Sequence, residues 1–69
     1  MRSSLAEQVE QYKRGLTVAE LADILGFSRG QVYKLTSAKR LPALKVGTMV
    51  RFDPGVVADW IRNRMTVIA

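Results

Sequence analysis

The chain has 69 residues, 48% of them apolar, with no cysteine, no histidine and a formal net charge of +5. That length admits one domain, which buries only about 60% of its unfolded surface, and without cysteine neither a disulfide nor a thiolate metal site supports it. No apolar run approaches the roughly 18 residues of a membrane span, and Met1-Arg-Ser-Ser-Leu-Ala leads at once into acidic and amide residues rather than a signal peptide's apolar stretch, so a cytoplasmic, single-core protein is expected.

Helix starts follow one another along the chain. Ser4 with Glu7 makes a capping box, in which each side chain accepts from the other residue's backbone N–H. Leu5, Val9 and Tyr12 then fall on one face, with Gly15 as the expected stop. Thr17 with Glu20 is a second box and opens a helix of Val18, Leu21, Ala22 and Leu25. Gly26 is placed to end that helix in the left-handed conformation. Ser28 with Gln31 is a third box, and its helix is expected to end by about Lys39 because Pro42 cannot continue it. Asp53-Pro54 is a start of another kind, with Asp as cap and Pro at the first helical position. Behind it Val56, Val57, Trp60 and Ile61 form an apolar stripe.

The second and third of these helices form a unit. Ala22 is small enough to let the next helix cross closely, Gly26 turns the corner, and Val32 with Leu35 pins the later helix onto the earlier one. Leu21, Leu25 and Phe27 complete the apolar set. This is the helix-turn-helix spacing, in which the second helix enters the major groove of DNA.

Between the third and fourth helices the period shortens to that of a strand. Leu44, Val46, Val50 and Phe52 alternate with Lys45, Met49 and Arg51 around Gly47-Thr48. A hairpin follows, and glycine at the first central position suits a type II′ turn. Two strands of about four residues are not stable alone. The Leu44, Val46, Val50 and Phe52 face is therefore expected to lean on the helices, with Lys45 and Arg51 outward. A basic hairpin in this place is a wing. The expected fold is mostly α with a small β-hairpin, a winged helix-turn-helix. It comprises an N-terminal helix (residues 1–15), a unit of two motif helices, wing and C-terminal helix (16–64), and a tail (65–69).

Charge is distributed unevenly over this plan. Residues 1–23 carry three basic and four acidic side chains, and residues 53–69 carry two of each. Between Ile24 and Phe52 lie Arg29, Lys34, Lys39, Arg40, Lys45 and Arg51 with no acid. A solvated surface normally mixes signs, whereas a one-signed stretch beginning at the second motif helix reads as a footprint for phosphate.

With Val32 and Leu35 turned inward, Gly30, Tyr33, Lys34 and Ser37 face outward, and Arg29 and Gln31 lie on the flanks. Arg29 can pair bidentately with guanine and Gln31 with adenine, each pair worth about 1–3 kcal/mol of discrimination; Gln31 is alternatively spent on its capping box. Lys34, Lys39 and Arg40 suit phosphate. Tyr33 suits phosphate or packing on the wing. Gly30 costs the helix about 1 kcal/mol relative to alanine, and either admits a close backbone approach or is tolerated early in a helix. Lys45, Thr48 and Arg51 would act from the wing. Met49, if exposed, is either a groove wedge or a plain surface residue, and Trp60 is read as core. No catalytic or metal-binding residue is expected: without cysteine or histidine there is no common nucleophile–base pair and no usual zinc set. Nor is there a glycine-rich phosphate loop or any implied cofactor.

Leu16-Thr-Val-Ala-Glu-Leu-Ala-Asp-Ile-Leu-Gly-Phe-Ser-Arg, Val32-Tyr-Lys-Leu35, Leu41-Pro-Ala, Val46-Gly47, Arg51-Phe52 and Trp60-Ile61 together resemble the excisionase-type winged-helix DNA-binding domains of the MerR-like group. The likeness spans roughly residues 16–62. It departs at Gly30 and Gln31, where Ser or Thr is common, and at Thr48 and Met49, where basic or aromatic residues often follow the wing glycine. The resemblance implies Arg29, Tyr33 and Lys34 facing double-stranded DNA, with Lys45 and Arg51 beside it on the wing. It also implies an integrase or recombinase as a further partner and a role in DNA recombination. Transcription regulation by a small repressor, or a winged-helix protein-interaction module, are the alternative functions. No leucine-rich dimer helix follows Trp60 within these residues, so a free monomer that binds neighbouring DNA sites cooperatively is expected.

Overall fold

A computed structural model of the chain describes residues 4–65; the expected tail beyond Met65 lies outside the described residues. Helix α1 runs Leu5–Glu10, α2 Val18–Leu25, α3 Arg29–Ser37 and α4 Pro54–Asn63, with strands β1 Leu44–Val46 and β2 Met49–Arg51 between α3 and α4. The fold is a winged helix-turn-helix.

All three capping boxes form, each in both directions: Ser4 with Glu7, Thr17 with Glu20, and Ser28 with Gln31. Asp53 accepts from the Val56 backbone N–H ahead of Pro54. These contacts satisfy orphan N–H groups that water would otherwise have to reach. Gly26 closes α2 at φ 72°.

The α3 terminus is a Schellman motif. Lys39 N–H donates to the Thr36 carbonyl at 3.0 Å, and Arg40 N–H to the Leu35 carbonyl at 2.9 Å. The residue in the left-handed position is Lys39, at φ 59°, where a side chain costs roughly 1–2 kcal/mol.

One core joins every helix. Ala6 and Val9 of α1, Leu21 and Ala22 of α2, Val32 of α3 and Val57, Ala58 and Ile61 of α4 meet Leu16, Leu41 and Phe52 in a single buried cluster. Helix α1 packs mainly on α4, and α2 on α3. Arg62 of α4 clasps Glu10 of α1 at 2.5 Å and 3.0 Å through its two terminal nitrogens.

Four local expectations need correction. Helix α1 ends at Glu10 rather than near Gly15, because the chain must leave it to reach the hairpin. Leu16 and Phe52 exchange backbone hydrogen bonds of 2.8 and 2.9 Å there. Gly15 serves that crossing instead: a Cβ on it would sit 3.1 Å from the Arg51 Cβ.

The strands are three residues long, and the first has the opposite facing. Val46 pairs with Met49, Lys45 with Val50 and Leu44 with Arg51. Directly paired residues share a face, so a two-residue loop places Leu44, Val46, Met49 and Arg51 together. The other face carries Val50 and Phe52 inward, with Ala43 packed on the core, and Lys45, opposite Val50, lies on that face and not with Arg51, though it stays exposed. Leu44 and Val46 are thus 65% and 63% exposed. The turn itself has φ 60° at Gly47 and no positive φ at Thr48, the pattern of a type II′ turn.

Phe27, just past the Gly26 corner, is 41% exposed and so lies outside the buried apolar set. Val56 is likewise exposed, and Ala58 takes its place beside Val57 and Ile61 in the buried stripe. Trp60 packs on the edge of the core, where its indole N–H donates to the Arg40 carbonyl and the Arg64 guanidinium lies 4.3 Å from its ring centre.

Candidate nucleic-acid interface

Helix α3 buries only Val32 fully and half-buries Leu35 and Thr36. At about 100° per residue, fixing Val32 inward sets every other side chain. Gly30, Lys34 and Ser37 stand opposite it, Arg29 and Tyr33 lie on one flank, and Gln31 and Ala38 lie on the other. All five of Arg29, Gly30, Gln31, Tyr33 and Lys34 are exposed, as is Ser37.

The wing meets only one of those flanks. Arg29 and Tyr33 line a shallow groove with Thr48, Met49 and Arg51 and the start of α2. Tyr33 therefore neighbours the wing yet stays half in solvent, at 52% exposure. On the far flank Gln31, Lys34 and Arg40 surround Phe27, Leu35 and Ala38. Lys39 and Lys45 are exposed and lie outside both grooves. Of the wing residues, Arg51 is half-buried over Gly15, and its guanidinium donates to the neighbouring Val50 carbonyl at 2.8 Å.

Two of the open readings gain geometry. The Gln31 carbonyl oxygen accepts the Ser28 N–H at 2.8 Å, so bidentate pairing with adenine would compete with that bond for the side chain's orientation. A Cβ at Gly30 would meet nothing nearer than the Ser28 hydroxyl at 3.8 Å, so packing within the chain does not demand glycine there.

Electrostatics separates the molecule into a neutralised part and an unneutralised one. Ion pairs join Arg14 to Glu20, and Arg62 to Glu10 and Asp59. Among the described residues, no cation from Arg29 to Arg51 takes part in one. The Arg14 guanidinium, helped by the Thr17 backbone N–H, holds the Glu20 carboxyl at about 2, well below the usual 4.5. Arg62 lowers Glu10 in the same way.

These two depressed carboxyls carry a pH dependence. Their contribution to stability is complete above the ordinary carboxylate range and is lost as pH falls through their folded-state values. Stability is therefore expected to decline from about pH 4.5 towards pH 2. Glu20→Gln keeps an acceptor for Thr17 but loses the charge, so its denaturation midpoint should fall less over that interval. Urea titrations of both chains between those pH values measure the difference.

Among the described residues, no helix is long and apolar enough to cross a membrane. The model of a family described as a helix-turn-helix domain matches residues 16–65. Neither the curated proteins nor the solved structures contain a match to the chain.

Proposed function

The chain belongs to the helix-turn-helix domain family, and we propose that it binds double-stranded DNA sequence-specifically, as an excisionase-type architectural factor in the cytoplasm. The single observation that carries this reading is the cationic surface of α3 and the wing, which among the described residues takes no part in any ion pair. Arg29 reads a base from the start of α3, and Tyr33 and Lys34 lie along the groove-facing surface beside it. Lys45, Thr48 and Arg51 hold the duplex from the wing, Lys45 and Arg51 through their charge.

The excision role rests on the resemblance along residues 16–62 to excisionase-type domains of the MerR-like group. In that role the free chain is a monomer, fills neighbouring sites together and acts beside an integrase or recombinase. One module of this kind covers roughly 600–1,000 Å², so side-by-side occupancy supplies specificity that a lone footprint lacks. A protein-interaction module is the second reading, favoured by the exposed Leu44, Val46 and Met49 on one face of the wing.

Selection from random duplex DNA tests the assignment. Arg29→Ala is expected to relax preference at one base position and to cost about 1–3 kcal/mol, whereas Lys45→Ala should weaken binding to all sequences alike. A reversed pattern, with Lys45→Ala altering the selected sequence and Arg29→Ala leaving it intact, refutes the division of roles. Absence of enrichment for the unsubstituted chain favours the interaction module.

A further inference from the structure

Lys39 is the one described non-glycine residue at positive φ, in the position after a helix where glycine is the usual occupant. Its surroundings leave little freedom to relax. The Arg40 and Leu41 N–H groups both donate to the Leu35 carbonyl, at 2.9 and 3.3 Å. The Leu41 side chain is sealed in the core at 1% exposure. From the other side the Trp60 indole N–H donates to the Arg40 carbonyl at 2.5 Å. The corner is thus fixed by a helix end, a core side chain and α4, while both its cationic side chains stand in solvent.

A side chain at this φ works against folding, so its presence calls for a reason outside the fold. Attraction of an exposed cation to the C-terminal end of α3, where Lys34 also lies, is weaker than the cost of the left-handed conformation and does not supply one. We propose that Lys39 and Arg40 form a rigid clamp for a DNA backbone phosphate at the C-terminal end of α3, and that stability is given up at Lys39 to keep a cation there. This rests on the DNA-binding reading above.

The clamp sits at the opposite end of α3 from the Arg29–Tyr33 groove that the wing closes. The helix is nine residues long, about 14 Å at 1.5 Å per residue, comparable with the roughly 12 Å width of the major groove. Wing and clamp can therefore hold phosphates on the two sides of one groove. Because the corner is already ordered, binding there does not have to immobilise a loop.

Lys39→Gly in the full chain separates this role from a purely structural one, with Lys39→Arg as the charge-retaining control. Lys39→Gly should melt at a higher temperature than the parent yet bind duplex DNA more weakly. Its slope of log K against log salt should be smaller in magnitude by about 0.9, so its deficit should be three- to fourfold larger at about 50 mM than at about 200 mM salt. Lys39→Arg should keep the parental slope. Unchanged affinity and slope in Lys39→Gly would overturn the clamp, and an unchanged or lower melting temperature would overturn the trade of stability for charge. If the parent chain itself fails to bind at low salt, the DNA-binding reading falls, and the clamp with it.

Discussion

Raising salt from about 50 to about 200 mM is expected to weaken duplex binding by roughly 250- to 1,000-fold. Four to six of the cations between Arg29 and Arg51 meeting phosphates give a log–log slope of about −4 to −5, and a fourfold rise in salt is taken to that power. The ion-paired cations add little. Arg14 and Arg62 are engaged with Glu20, Glu10 and Asp59 within the chain, so they release few counterions from DNA. Arg14→Gln should therefore leave the slope unchanged, whereas Lys34→Gln should reduce its magnitude by about one. Anisotropy titrations at several salt concentrations measure both. A slope near zero would leave the segregation of charge without a nucleic-acid meaning and turn attention to the exposed wing face.

What was legible in the sequence is what is local. Each capping box needs only residues three apart, and each forms as its spacing requires. The left-handed close at Gly26 and the cap at Asp53 are equally short-range. Errors arose where a residue answers to something distant. Gly15 resembles a helix stop, but its lack of a side chain serves the approach of Arg51 from the hairpin. Alternation along β1 and β2 was visible, yet which face turns inward depends on pairing across the two-residue loop, which sets Val46 opposite Met49. Apolar type alone misplaced Phe27 and Val56.

The candidate interface was legible for a different reason. A missing charge sign can be counted without knowing the fold, and the α3 faces follow once Val32 is set inward. Nothing local reveals the division of the α3 residues between a wing-side flank and a far flank, because the wing approaches only through its tertiary path. Nothing at all marks Lys39 as left-handed, since the usual sign is a glycine. The Trp60 bond to the Arg40 carbonyl, which steadies that corner, spans a sequence separation no short motif covers.

Phe52→Ala is expected to destabilise the fold by about 3–5 kcal/mol, against a total of roughly 3–10 kcal/mol for a chain of this length. Phe52 is fully buried and has the largest side chain among the residues that are. It also stands where the hairpin meets the rest of the molecule, its backbone paired with Leu16 and its neighbour Asp53 capping α4. Its loss empties the space on which the wing leans, and two short strands have no stability of their own to offset that. Leu44→Ala is the informative contrast. The sequence pattern alone puts Leu44 on the same inward face, whereas the pairing with Arg51 turns it out to 65% exposure. Its substitution should therefore change stability by no more than about 0.5 kcal/mol. Urea denaturation followed by circular dichroism reads both variants. Equal losses at the two positions would mean that β1 presents Leu44 to the core after all, and the wing's exposed aliphatic face would disappear with that register.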